Sequence, residues 1–309
     1  MNNVSESVVT EEVYQNDTFD KLVECSDTYI GYFKDDPLYG SIATQLMSCQ
    51  SAATWDLYEK IDRHGEVTNK NQLGGFHCRG KYCPICQGQK KKKVFAQSLE
   101  SMPVILIRNK ESKWYNLTLT VRNCLPELLG ETLDMMQKGF SKFMKMKGVK
   151  KHLLGYVRVT EIDEDWNKCA HPHFHVLLHV NSSFQFNGTT DKDFLQGLWK
   201  DAIKADYDPA IDCELIVEDI RPYKETLAGA LAYAFKPAPQ PFSKDFLVAL
   251  IEQTDGRNKY SCSGSLRGLI NLGRGKRNNQ SNLHQKKYKI KNYISSQPAV
   301  PARINQTLH

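Results

Sequence analysis

Residues 171–180 read His-Pro-His-Phe-His-Val-Leu-Leu-His-Val, and this stretch decides the fold. In an extended strand, successive side chains point to opposite faces. Four imidazoles would therefore share one face and four apolar side chains the other: His171, His173, His175 and His179 against Phe174, Val176, Leu178 and Val180. The alternation predicts a strand that buries one face in a core and presents histidines on the other.

Two of these histidines have the spacing of metal ligands. Neighbours on one strand face lie roughly 6 to 7 Å apart, so His173 and His175 can converge on one divalent ion. Residues 153–162 are rich in strand-forming residues and residues 163–168 read as a hairpin connection, which would bring Glu161 opposite the histidines. Two imidazoles and one carboxylate suit Mg²⁺, Mn²⁺ or another first-row ion better than a closed zinc site. The alternative is strand histidines that bind no metal.

Composition places the chain among ordinary globular proteins. Of its 309 residues, 40% are hydrophobic and 25% charged, and no apolar run approaches the length of a membrane span. The sequence shows no pattern of a secretory signal, so its nine cysteines indicate thiols or metal ligands in a reducing cytoplasm.

The net charge of +6 is unevenly distributed. Residues 1–40 hold nine acidic and two basic residues, whereas residues 272–309 hold eight basic and no acidic ones. We expect a mobile acidic leader at one end and a basic, disordered tail at the other. The tail either contacts nucleic acid or is simply solvated.

Three cysteines lie close together in a knuckle motif. Cys83 and Cys86 form a Cys-Pro-x-Cys turn, and Cys78 is near enough to be a third ligand of one structural Zn²⁺. Cys49 is our choice of fourth ligand because thiolate is the softer donor. His77 and His64 are the alternative fourth ligands. If no metal is bound, the cysteines are buried free thiols.

A run of four lysines follows the knuckle directly. Lys90, Lys91, Lys92 and Lys93 open an amphipathic stretch that reads as a helix. A solvated helix face would explain them. Their position beside a zinc knuckle also suits contacts to DNA phosphates.

The order of predicted elements indicates an α+β fold with an antiparallel sheet backed by helices on one face. The helices and strands that we expect are listed by range: a helix over 41–63, a strand from residue 113, a helix over 131–147, strands over 153–162 and 171–180, a helix over 191–204, a strand over 213–220 and a helix over 223–235.

The last of these helices carries a candidate nucleophile. Tyr233 and Lys236 are three residues apart and would be neighbours on one helix face. A phenol has a pKa of about 10, so as a nucleophile it needs a nearby cation and a polarised electrophile. Taken alone, Tyr-x-x-Lys is also typical of an ordinary helix.

Taken in order, these motifs resemble the plasmid rolling-circle replication initiators, the Rep branch of the HUH endonucleases. The resemblance covers residues 45–240 and is carried by the strand at 117–120, the histidines at 171–175, Tyr233-x-x-Lys236 and the cysteine knuckle. It implies an HUH-like domain over residues 101–270, preceded by a zinc-knuckle and basic helix region over 41–100 and followed by the tail at 271–309.

The resemblance also implies an activity. Tyr233, assisted by Lys236, would attack a phosphate of single-stranded DNA at a hairpin origin, with His173, His175 and Glu161 binding Mg²⁺ or Mn²⁺. The products would be a 5′-phosphotyrosine link and a free 3′-OH for leading-strand synthesis. The implied partners are plasmid origin DNA and a host helicase and polymerase, with no membrane.

One departure from the family concerns termination. Relatives with a single tyrosine often carry a glutamate shortly before it, which activates water. Here Gly229 stands one turn before Tyr233, and the nearest acid is Glu225, two turns before. Tyr223 is an alternative second transfer residue, although it lacks the Tyr-x-x-Lys context.

Two other functions fit the same motifs. An HUH single-strand transposase also combines a cysteine knuckle with a His-hydrophobe-His strand. A non-enzymatic, zinc-dependent DNA-binding repressor would use the histidines structurally. Formation of a covalent protein–DNA adduct separates the enzymes from the repressor.

Overall fold

A computed structural model describes residues 20–51, 54–61, 67–74, 78–184, 189–217, 223–238, 241–267 and 289–290. The helices are α1 (residues 20–33), α2 (Gly40–Ser51), α3 (Pro84–Arg108), α4 (Leu129–Phe143), α5 (Lys147–Lys150), α6 (Thr189–Ile203), α7 (Tyr223–Tyr233) and α8 (Lys244–Gln253). The strands are β1 (Thr54–Ile61), β2 (Val67–Gly74), β3 (Lys113–Thr120), β4 (Leu153–Glu164), β5 (Ala170–Val180), β6 (Ile211–Leu215), β7 (Tyr260–Gly264) and β8 (Lys289–Ile290).

Five strands form one antiparallel sheet in the order β6-β3-β5-β4-β7, with the histidine strand β5 at its centre. The turn between β4 and β5 spans residues 165–169 and sets the register in which Glu161 pairs with His173. The predicted α+β fold with an antiparallel sheet is therefore confirmed.

Helices cover both faces of this sheet, whereas we expected them on one. The apolar face of β5 packs with α4 and α6, through side chains that include Phe140, Phe174 and Trp199. The histidine face packs with α3 and α7 at its far end, around Trp114 and Leu177. The reason is that β3, β4 and β5 carry apolar residues on this second face too, and these must be shielded from water.

A third cluster joins the N-terminal helices to the cysteine knuckle and α8. Phe33 of α1, Leu46 of α2, Ile85 of α3 and Leu247 of α8 are all buried in it. The mobile leader expected up to residue 40 is therefore wrong for residues 20–33. Their aromatic residues form an apolar helix face, a signal that the acidic composition obscured.

The helix expected over residues 41–63 ends earlier. Its first half is α2, but residues 54–61 are strand β1, paired antiparallel with β2 and with the two-residue strand β8. The alternation of Trp55, Leu57, Glu59 and Ile61 with polar or aromatic neighbours suits a strand as well as a helix.

Strand β7 is short and was not predicted from the sequence. It lies at the sheet edge beside β4 and ends at Gly264, whose φ is +61°. A Cβ at this position would lie 2.1 Å from the carbonyl oxygen of Leu154, so only glycine permits this approach to β4.

The predictions for residues 1–19 of the leader and for the tail at 271–309 concern residues outside the described ranges, apart from the β8 pair. No helix within the described ranges is long and apolar enough to span a membrane.

Candidate functional site

Strands β4 and β5 bring together one carboxylate and two imidazoles. Oε2 of Glu161 lies 2.6 Å from Nε2 of His175 and 3.2 Å from Nε2 of His173, and the two Nε2 atoms are 3.1 Å apart. The three side chains are mostly buried, with exposed fractions of 12, 10 and 22% for Glu161, His173 and His175. The trio predicted from the hairpin therefore lies at one point of the sheet.

The donor atoms have the arrangement of a metal site. Two ligands about 2.1 Å from one ion and at a right angle are about 3.0 Å apart, close to the spacings seen here. Nδ1 of His173 lies 3.4 Å from the carbonyl oxygen of His171, and Nδ1 of His175 lies 3.5 Å from the hydroxyl of Thr118. These contacts direct both Nε2 atoms toward Glu161, the role that outer partners play around metal-binding histidines. The residues fit a divalent ion.

Electrostatics keep Glu161 ionised. Burial acts to raise its pKa, but hydrogen bonds from His173 and His175 lower it well below the ordinary value. Asp163, two residues along the same face of β4, has a raised pKa because of burial and the neighbouring charge of Glu161. The site thus holds one carboxylate suited to a cation and a second one beside it.

Tyr233 and Lys236 reach this trio from the end of α7. Tyr233 is the last residue of the helix, so Lys236 lies in the segment that follows and not on the predicted helix face. The two side chains still meet, with Nζ of Lys236 3.3 Å from the hydroxyl of Tyr233 and 3.4 Å from Oε1 of Glu161. Burial disfavours the charge of Lys236, but the carboxylate of Glu161 raises its pKa above the ordinary value.

The other two histidines of β5 make different contacts. Nδ1 of His171 lies 2.5 Å from Oδ1 of Asn123, away from Glu161. His179 is fully buried, stacks on Trp114 with ring centroids 4.0 Å apart and contacts the hydroxyl of Ser265 at 2.7 Å. Sharing a strand face therefore did not make them members of the trio.

Four cysteines form a second cluster. The sulfurs of Cys49, Cys78, Cys83 and Cys86 all lie within 4.8 Å of one another. Cys49 and Cys78 are 3.6 and 3.7 Å from Cys86, and Cys83 is 3.7 Å from Cys49. Sulfurs about 2.3 Å from a tetrahedral ion lie about 3.8 Å apart, so the cluster fits one zinc ion.

The cluster brings Cys49, from the end of α2, to the knuckle at the start of α3. The alternative ligands His77 and His64 lie outside the described residues. A hydrogen bond from Cys83, joined by bonds from Cys49 and Cys78, lowers the pKa of Cys86 to about 5. This favours the thiolate of Cys86, the form that binds metal. The pKa of Cys83 is instead raised, first by its hydrogen bond with Cys86, and burial raises that of Cys49.

Comparisons with known proteins identify the family of the chain. The model of a family described as "Replication protein" matches residues 69–305 of the chain. The chain belongs to this replication protein family. The resemblance drawn from the motifs is thereby confirmed.

Several curated relatives of this chain carry the name "Protein rep". One from Bacillus sp is 32% identical over 60% of this chain and 62% of its own length. One from Streptococcus pneumoniae is 28% identical over 52% of each chain, and one from Bacillus amyloliquefaciens is 31% identical over 57% of this chain and 50% of its own. The chain spans about half to three fifths of these relatives' length. No solved structure matches the chain.

The lysine run lies in the first part of α3. Lys90 and Lys93 line a groove of about 840 Å³ beside the cysteine cluster, and Nζ of Lys90 lies 4.7 Å from the ring centre of Tyr260. Burial and the charge of Lys93 lower the pKa of Lys90 to about 8. Lys91 and Lys92 are not among the described residues that line the groove.

The groove is strongly basic. Among the described residues that line it are six cations and one carboxylate: Arg79, Lys81, Lys90, Lys93, Arg257 and Lys259, with Asp255. Arg257 and Lys259 precede β7 and have no motif of their own, which is why sequence reasoning missed them. Asp163 could have been found, because alternation along β4 places it on the same face as Glu161.

The termination candidates Tyr223 and Glu225 lie in the first turn of α7. The hydroxyl of Tyr223, at the start of the helix, donates a hydrogen bond of 3.1 Å to the carbonyl oxygen of Ile216. Tyr223 is thus held at the opposite end of the helix from Tyr233. Glu225 lies in the first turn, close to Tyr223.

Proposed function

We propose that this chain is a plasmid rolling-circle replication initiator that nicks and rejoins single-stranded origin DNA. The observation that carries the proposal is the contact chain from the hydroxyl of Tyr233 through Lys236 to Glu161 and the two histidines. A nucleophile, a cation and a candidate metal site thus meet in one place, which is the arrangement a tyrosine nuclease requires.

Tyr233 is the nucleophile in this proposal. Its side chain is 58% exposed, so a backbone phosphate has access to the phenol oxygen. A bond forms between that oxygen and phosphorus, and the bond from phosphorus to the 3′ oxygen breaks. The phenol loses its proton and the 3′ oxygen gains one, leaving a 5′-phosphotyrosine link and a free 3′-OH. The link retains the phosphodiester energy, so a later 3′-OH can reverse the step.

Lys236 orients and assists the phenol. Its ammonium group lies within hydrogen-bonding distance of the hydroxyl and favours the developing negative charge. Its second contact, to Glu161, keeps Tyr233 beside the trio.

His173, His175 and Glu161 would hold Mg²⁺ or Mn²⁺, a donor set that leaves coordination positions open. Such an ion, when bound, withdraws charge from the non-bridging oxygen of the scissile phosphate. Cys49, Cys78, Cys83 and Cys86 would hold a structural Zn²⁺ that fixes α2 against α3.

The basic groove supplies a path for the DNA strand. Arg79, Lys90 and Lys93 would neutralise backbone phosphates, as the sequence suggested for the two lysines. We also propose that a host helicase and polymerase are recruited to the 3′-OH. This stays a proposal because the chain spans only part of its relatives' length.

Adduct formation tests the function. The full chain is incubated with Mn²⁺ and a labelled single-stranded oligonucleotide from the plasmid origin, and the adduct is located by mass spectrometry. We expect a 5′-phosphotyrosine at Tyr233, lost in Tyr233→Phe while DNA binding persists.

Tyr223→Phe is the matched control, since it removes a hydroxyl from the same helix and should leave the adduct yield unchanged. An adduct on another residue would identify that residue, and not Tyr233, as the nucleophile. No adduct with any divalent ion would favour the repressor, and activity confined to mobile-element ends would favour the transposase.

A further inference from the structure

A separate cavity of about 300 Å³ adjoins the candidate active site. Glu161 and Lys236 line it on one side. On the other side it shares Lys81, Tyr82 and Lys259 with the basic groove. The cavity therefore lies between the groove and the point where Lys236 contacts both Tyr233 and Glu161.

The walls of the cavity combine aromatic rings with polar groups. Tyr82 and Phe242 supply the rings, and Thr160 and Asn258 supply hydrogen-bonding groups. A flat, apolar surface with a few polar atoms at its edge matches a nucleobase.

Charge does not single out a phosphate as the occupant of this space. Three carboxylates line the cavity together with four cations, and Arg257 is paired with Asp134 and Lys236 with Glu161. The carboxylate of Asp163 can accept hydrogen bonds, which the amino and imino groups of a base can donate.

Hydrogen bonds fix the wall in position. The hydroxyl of Tyr82 donates to Oγ1 of Thr254 at 2.6 Å, and Nζ of Lys81 donates to the carbonyl oxygens of Thr254 and Arg257 at 2.6 and 2.9 Å. The guanidinium of Arg257 makes two bonds to Asp134, of 2.9 and 2.8 Å. A wall held in this way is ready to receive a ligand without rearrangement.

We propose that this cavity holds one unstacked nucleobase of the DNA strand, next to the phosphate that Tyr233 attacks. A strand whose phosphates follow the groove and then reach Glu161 must pass the cavity, and the nucleoside between those phosphates is the part that fits it. Enzymes that act on DNA commonly take one base out of the stack into a pocket. This inference rests on the proposed function.

An abasic scan tests it. Tyr233→Phe protein is titrated, at one fixed salt concentration, with single-stranded oligonucleotides that carry the nick site mapped by adduct formation. Each oligonucleotide lacks one base near the nick. We expect one position at which base removal weakens binding about tenfold, as loss of one stacked base does. Equal affinity for all abasic oligonucleotides would overturn the inference.

A cavity-filling variant links that position to the cavity. Ala238 lines it, so Ala238→Phe in the Tyr233→Phe background should weaken binding of the intact oligonucleotide about tenfold and abolish the effect of the abasic position. Ala96→Phe, on an exposed part of α3, is the matched control and should change neither. A full abasic effect in folded Ala238→Phe would contradict the assignment.

The two proposals fail in different ways. If wild-type protein formed no adduct, the nuclease function would be ruled out. A normal adduct together with equal affinity for all abasic oligonucleotides would rule out only the base pocket. The scan itself needs no cavity variant, so it decides the matter even if Ala238→Phe does not fold.

Discussion

Nζ of Lys236 lies 3.4 Å from Oε1 of Glu161, a contact between the segment after α7 and the strand β4. Through this contact the tyrosine at the end of a helix on one face of the sheet is held beside two histidines of the central strand. An amine so placed has two roles, since it balances a buried carboxylate and directs a phenol.

Replacing Lys236 should slow the reaction without abolishing metal binding. We expect Lys236→Met to reduce the single-turnover rate of adduct formation about 100-fold, because it removes the charge beside the phenol. Lys236→Arg keeps the charge with different geometry and should recover part of the rate. Quenched time courses with labelled oligonucleotide give both values. A full rate in Lys236→Met, with unchanged Mn²⁺ affinity, would exclude the role given to this residue.

The histidine pair should bind the catalytic ion. His175→Ala removes one of three donors, and we expect Mn²⁺ affinity, measured by electron paramagnetic resonance titration, to fall at least about tenfold. His171→Ala is the matched control on the same strand face, because its imidazole contacts Asn123 and not Glu161. Equal losses in the two variants would show that the ion is not bound by the trio.

The cysteine cluster should hold one equivalent of zinc and stabilise the fold. Cys49→Ser is expected to lose the zinc and to lower the melting temperature by at least about 5 °C, because metal binding contributes directly to folding. Cys169→Ser, in the turn between β4 and β5, lies outside the cluster and is the control. Elemental analysis and thermal unfolding provide the readouts. Full stability of zinc-free Cys49→Ser would mean that the cluster is not a structural metal site.

Local patterns predicted the centre of the fold well. The alternation of residues 171–180 fixed a strand, and its hairpin with the preceding strand brought Glu161 opposite His173, since antiparallel register follows from a short turn. Cys49 was chosen because zinc prefers thiolates and because Cys49 ends its own helix-like segment.

Features that depend on distant parts of the chain escaped prediction. Nothing local in α1 signals that Phe33 will pack against Leu247, and β7 is a strand only because the edge of β4 is available to it. Four histidines on one face suggested one shared environment, yet the helices above that face bury His179 and leave His173 and His175 at the site. Burial of this kind is decided by tertiary packing, which one sequence does not display.

His179 should make stability depend on pH. Burial lowers its pKa to about 4, against an ordinary value of 6.5. Between these values the unfolded chain binds a proton that the folded chain does not, so stability is complete above about pH 6.5 and falls as pH drops toward 4. For a shift of this size the loss is about 2 kcal/mol by pH 5.

Urea unfolding at pH 7, 6 and 5 measures this loss. In His179→Phe the free energy of unfolding should fall by about 2 kcal/mol less than in wild type between pH 7 and 5, because the titrating group is gone. Ser265→Ala removes the 2.7 Å contact of His179 but keeps the imidazole, so it should be about 1 kcal/mol less stable at pH 7 and retain the pH dependence. If His179→Phe kept the pH dependence of the wild type, groups other than His179 would account for the proton uptake on unfolding.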